Sequence, residues 1–216
     1  MSSNGIPMQP ISQQPGVVYP QQQQMSFVLQ VPAHHLQVLD GLGSYYIKRS
    51  GQTTRYASDS NNHQIFSYSE QVLVNNQYAR AASMMFIDNN GTEFISVDLD
   101  FSGGKIRSGN MQLGVLNPVN NFCPCFGMQT LQVNSSTGGG SVTLKPGKVP
   151  CGGCCFFACC CGGSASYNVI INGEKVGSMG HDGDGGSPMV TFPPSLDPRL
   201  KGIIVVLSFM LFNTYW

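Results

Sequence analysis

The sequence predicts a mostly β domain of successive antiparallel hairpins, closed into a barrel and preceded by a Pro/Gln-rich leader. Three observations point there. Among 216 residues, 26 are glycine and 13 proline, and short apolar runs recur between them, which favours frequent turns over long helices. Turn glycines stand at 51, 91, 138 to 140 and 173, each between two strand-like runs. The one long apolar stretch lies at the end, over residues 202–216. All-β barrels commonly reach this length as a single unit, so one domain is the simpler reading.

The leader comes first, over residues 1–35. It contains Gln21 to Gln24 with Pro7, Pro10, Pro15, Pro20 and Pro32, few large apolar side chains precede Phe27, and the first charged residue is Asp40. Such composition buries too little surface to offset the entropy of ordering, so the leader is expected to be disordered. Tyr19-Pro20 and the Pro/Gln composition suit extended docking to small protein domains. No basic segment followed by an apolar one opens the chain, which predicts a protein on the cytosolic side.

The domain is expected over residues 36–216, where four hairpins are legible. Ser44-Tyr45-Tyr46-Ile47-Lys48 faces Thr53-Thr54-Arg55-Tyr56-Ala57 across Ser50-Gly51. Met84 to Ile87 faces Thr92 to Val97 across Asp88-Asn89-Asn90-Gly91, where Asn90-Gly91 supplies the positive φ values of a tight hairpin. Met128 to Val133 turns through Asn134 to Gly140 into Ser141 to Leu144, and Tyr167 to Ile171 turns at Asn172-Gly173 into Glu174 to Met179. Closing these hairpins into a barrel hides their edges.

The terminal segment breaks the pattern. Ile203, Ile204, Val205, Val206, Leu207, Phe209, Met210, Leu211 and Phe212 follow Lys201 with no further charge. Fifteen helical residues span about 22 Å at ~1.5 Å each, short of a ~30 Å hydrocarbon core. A helix apolar on all faces is expected to be buried in protein, with a membrane span in a thinned bilayer and a buried strand as the alternatives.

Several of these units, taken in order, resemble the phospholipid scramblase family. Val38-Leu39-Asp40-Gly41 with Tyr46-Ile47-Lys48, Gly51-Gln52 and Tyr56-Ala57 resembles its first hairpin, and Phe86 to Gly91 its central one. Cys123-Pro124-Cys125, Pro150-Cys151 with the cysteines that follow, and Phe192-Pro193 leading through Leu196-Asp197 and Lys201 into the apolar tail keep the family's order. The resemblance covers about residues 36 to 216. It implies a tubby-like fold, a closed antiparallel barrel of about twelve strands around a hydrophobic C-terminal helix. It also implies ATP-independent, two-way movement of phospholipids between membrane leaflets, often calcium-activated, at the cytosolic face of a membrane such as the plasma membrane. A tubby-like module that binds lipid or protein without moving lipid is the alternative.

Eight cysteines are available for chemistry: Cys123, Cys125, Cys151, Cys154, Cys155, Cys159, Cys160 and Cys161. In a reducing compartment they are poor disulfide partners, leaving metal ligation, acylation or plain burial. Cys151 and Cys154 have the two-residue gap of a zinc pair, but the second pair that a structural site uses is missing. Palmitoylation is implied by the resemblance, and acyl chains would hold the protein at the bilayer at about 0.8 kcal/mol per buried methylene. Phe122, Phe126, Phe156 and Phe157 lie beside these cysteines, suited to a membrane or to an ordinary core.

The resemblance also places a calcium loop from Asp182-Gly183-Asp184 onward, with Asp182, Asp184 and Asp197 as the acids that could serve. Counted from Asp184, the third and twelfth positions are Gly186 and Ser195, which supply no carboxylate, so a glycine-rich turn is the alternative.

Other functions are disfavoured by composition and motif. Eleven basic and eleven acidic residues cancel, and a charged fraction of 10% against the usual ~25% leaves no field to attract nucleic acid. The sequence has no phosphate loop, nucleophile elbow or zinc-protease motif, which argues against an enzyme. His181 beside Asp182 is adjacent in sequence only, and adjacency does not place two side chains on one strand face. The partner expected is therefore a phospholipid membrane, with self-association as one route to lipid movement, because a short apolar segment cannot line a headgroup path alone.

Overall fold

Alternation of apolar and polar side chains builds the wall strand by strand in the computed structural model. The structure describes residues 33–51, 54–76, 79–100, 103–117, 130–136, 140–147, 166–181 and 186–215. A 3-10 helix, Ala33–Leu39, precedes the first strand and crosses the expected domain start at residue 36, burying Leu36 and Leu39.

The four expected hairpins are present. Strands β1 (Ser44–Ser50) and β2 (Thr54–Ser58) pair with Ile47 opposite Ala57. After β3 (Gln64–Asn76), strands β4 (Ala79–Asp88) and β5 (Glu93–Asp100) form the second pair. Beyond β6 (Gly103–Ser108) and β7 (Met111–Asn117), the third pair is β8 (Leu131–Ser135) with β9 (Ser141–Pro146), and the fourth is β10 (Ser166–Ile171) with β11 (Glu174–His181). A short β12 (Pro188–Thr191) pairs with both β11 and β1, closing a 12-strand antiparallel barrel in which each strand neighbours the next in sequence.

Turn chemistry separates two of these hairpins. Asn172 and Gly173 both take positive φ, 51° and 88°, the geometry of a two-residue primed turn. At the β4–β5 turn only Gly91 does, at 80°, so the expected left-handed Asn90 is not found. Asp88 is the reason: its Oδ1 accepts the backbone N–H groups of Asn90 and Thr92, both at 2.8 Å, holding a right-handed turn that only Gly91 leaves.

The terminal segment is an α-helix, and it begins earlier than the apolar run suggests. Helix α1 spans Pro198–Tyr215 because Asp197 caps it, accepting the Arg199 N–H at 2.8 Å, and Pro198 fills the first helical position. Ile203 to Leu207 and Phe209 are fully buried, and Leu211 and Phe212 nearly so, with only Met210 of the run partly exposed. The Phe209 ring lies 5.3 Å from Tyr68, 5.4 Å from Phe86 and 5.9 Å from Phe66, so wall and helix share one aromatic core. The helix therefore fills the barrel. Neither a buried strand nor a membrane span is formed here, and among the described residues no helix is long and apolar enough to cross a bilayer. A 12-strand barrel around a C-terminal helix is compatible with the tubby-like architecture that the resemblance implies.

Candidate functional site

An up-and-down barrel has two ends, and the helix gives them different chemistry. Lys201, in its first turn, donates to the carbonyls of Leu39, ahead of β1, at 3.0 Å and of Pro194, after β12, at 2.7 Å. Lys201 is 1% exposed, and burial lowers its pKa from the usual lysine value. Asp197 and Arg199 pair beside it, and that guanidinium holds the Asp197 carboxyl below its ordinary range. At this end the lysine is held by backbone carbonyls, and a partly exposed ion pair lies at the helix start.

The opposite end receives the helix C-terminus. Midway down, the buried Tyr45 hydroxyl lies 2.6 Å from Ser208 Oγ, which itself donates to the Val205 carbonyl at 2.8 Å. Burial raises the Tyr45 pKa, with the Ser208 bond opposing it. One helical turn further, Phe212 lies beneath Arg49, whose guanidinium carbon is 5.5 Å from the ring centroid.

Arg49 does not stand alone on this rim. Register sets Arg49 directly opposite Arg55, and Arg55 directly opposite Tyr68, so three strands place these side chains in one row. Tyr45 and Ile47 on β1 and Ala57 on β2 are fully buried, and the two-residue period sets the two arginines on the same side of their strands, where at the rim Arg49 is exposed and Arg55 partly buried. Arg55 sits over the Tyr68 ring at 5.9 Å, and its Nε is buried without a hydrogen bond. The Tyr68 hydroxyl donates to Glu70 at 2.9 Å. Farther along β3, Val72 and Leu73 are 47% and 59% exposed, the large apolar side chains open to solvent among the described residues. This end therefore combines two cations, the Glu70 carboxylate and exposed apolar surface.

The positions singled out by sequence distribute unevenly. Cys123, Cys125, Cys151, Cys154, Cys155, Cys159, Cys160, Cys161, Asp182 and Asp184 lie outside the described residues. Their chain segments leave and re-enter the wall at Asn117 and Leu131, Pro146 and Ser166, and His181 and Pro188, all strand ends on the helix C-terminal side. Asp197 is at the other end, bound to Arg199. Among the described residues, no three His, Cys, Asp or Glu side chains are grouped to hold a metal ion.

Sequence reasoning passed over Arg49 and Arg55. The signal was present: in Tyr45-x-Ile47-x-Arg49 and Arg55-x-Ala57, each arginine occupies the inward parity of its strand.

No family model matches the sequence, and no curated protein matches it. An X-ray structure of a protein from Arabidopsis thaliana is similar over 78% of this chain and 90% of that chain, at 14% identity and a TM-score of 0.46.

Proposed function

We propose that this chain is a phospholipid scramblase-like protein, a barrel that works at a membrane surface and promotes ATP-independent, two-way movement of phospholipids between leaflets. The observation that supports the reading most is the closed 12-strand barrel filled by its own C-terminal helix, the architecture implied by the family whose landmarks the sequence resembles in order. The rim of Arg49, Arg55, Val72 and Leu73 suits contact with a leaflet, and acylation at cysteines among Cys123, Cys125 and Cys151 to Cys161 would tether that same end. Because the apolar helix is enclosed, headgroups have no path along it while the barrel is intact. Movement then requires a leaflet thinned beneath the docked barrel or an assembly of several copies.

The enclosed helix also favours a second reading, a lipid-binding module of the same fold that moves nothing. Leaflet exchange of a fluorescent phospholipid in vesicles holding only the purified intact chain, with and without calcium, separates the two. Exchange above protein-free vesicles supports the first, and folded, vesicle-bound protein without exchange supports the second. Truncation before the helix is unsuitable as a control, since it would empty the barrel.

A further inference from the structure

We infer that Arg49 and Arg55 form a seat for a phosphate group at the mouth of the barrel where the helix ends. Like charges directly opposite one another on antiparallel strands repel, so this pair calls for something that offsets it. Among the described residues neither arginine makes an ion pair. Each guanidinium instead lies over an aromatic ring, Phe212 for Arg49 and Tyr68 for Arg55, and a ring face contacts the cation without consuming its N–H donors.

Arg55 carries the argument further, because its buried Nε has no acceptor. A buried donor left unpaired is costly, and a shift of the Arg55 side chain toward the mouth would bring its planar fork, Nε included, onto a tetrahedral oxyanion that supplies the missing acceptor. The C-terminal dipole of α1 favours positive charge at this mouth. It does not satisfy Nε. A phosphate bridging two guanidiniums would meet the unmet donor and the mutual repulsion together.

The phosphate could belong to a lipid headgroup or to a soluble compound. The exposed Val72 and Leu73 at the same end favour the headgroup, and that source rests on the membrane reading proposed above, whereas the seat itself does not.

The test uses the intact chain, the double variant R49Q/R55Q and a control, R107Q, whose arginine pairs with Asp98 at 2.8 Å on the outer wall. Thermal unfolding is followed with and without inorganic phosphate, and co-sedimentation is measured with phosphatidylcholine vesicles, with and without phosphatidic acid. The proposal expects phosphate to raise the melting temperature of wild type and R107Q but not of R49Q/R55Q. It also expects binding to phosphatidic acid vesicles to fall roughly tenfold or more in the double variant. Stabilisation by phosphate with no vesicle binding by wild type would keep the seat, assign it to a soluble phosphate compound and remove the membrane reading. Vesicle binding equal in wild type and R49Q/R55Q, with no effect of phosphate on melting, would overturn the seat and leave the membrane reading standing. A double variant that melts lower while phosphate leaves wild type unmoved would also overturn it, giving the arginines a purely structural role at the helix terminus.

Discussion

The Tyr45 hydroxyl lies 2.6 Å from Ser208 Oγ, joining the first wall strand to a helix residue 163 positions later in the chain. The contact is buried on both sides, so wall and helix are bonded where they would otherwise only pack. Removing the hydroxyl in Tyr45→Phe leaves Ser208 its bond to the Val205 carbonyl, so the expected loss is a single hydrogen bond, about 1 kcal/mol, read by chemical denaturation.

The same tyrosine makes the fold sensitive to alkali. Its pKa is raised in the fold, so above the ordinary value of 10.0 the unfolded chain releases a proton that the native state keeps. Stability therefore falls as pH rises beyond that value. Tyr45→Phe should fall less steeply over the same range, in melting temperature measured against pH.

Lys201 provides a larger effect at the other end. Its ammonium group is the donor to both Leu39 and Pro194 carbonyls, and Lys201→Met keeps the stem while stranding both acceptors. Bonds from a charged donor contribute more than neutral ones, and a loss of about 2 kcal/mol or more is expected in urea denaturation.

The architecture was largely legible in the sequence, and the misses have physical causes. Hairpins with a turn glycine between alternating runs were readable, as at Asn172-Gly173. Strand β3 was hidden because Ser67, Ser69, Glu70, Gln71 and Asn75 dilute its apolar period, and β12 because four residues carry too little pattern. The helix start was misplaced because hydropathy marks where apolar residues begin, whereas the helix begins at its cap, Asp197-Pro198. The rim arginines gave a parity signal, but their meeting across β1 and β2 depends on register.

The cap has an acid signature. Arg199 holds the Asp197 carboxyl below its ordinary value of 3.8, so its stabilisation is complete above that value and is lost as pH falls through the lower folded one. Asp197→Ala should cost about 1 to 2 kcal/mol near neutrality and flatten the acid limb of the stability profile, measured by thermal unfolding from neutral to acid pH.

Val72 and Leu73 test membrane contact without disturbing the core. Both are largely exposed, so Val72→Ser with Leu73→Ser should leave the melting temperature nearly unchanged. If these side chains enter a leaflet, the pair of substitutions should weaken vesicle binding by roughly tenfold, because each side chain is already about half buried and the two together gain about 1.5 kcal/mol of further burial. Unchanged binding would remove them from the contact.

Leaflet exchange tests the central claim most directly. A fluorescent phospholipid is placed in one leaflet or the other of vesicles that hold only the purified, intact chain, and its transfer is followed without ATP. The account predicts faster transfer than in protein-free vesicles, equal in both directions. Protein shown to be folded and vesicle-bound that leaves transfer at the protein-free rate, with calcium or without it, would contradict scrambling and leave a barrel that binds lipid without moving it.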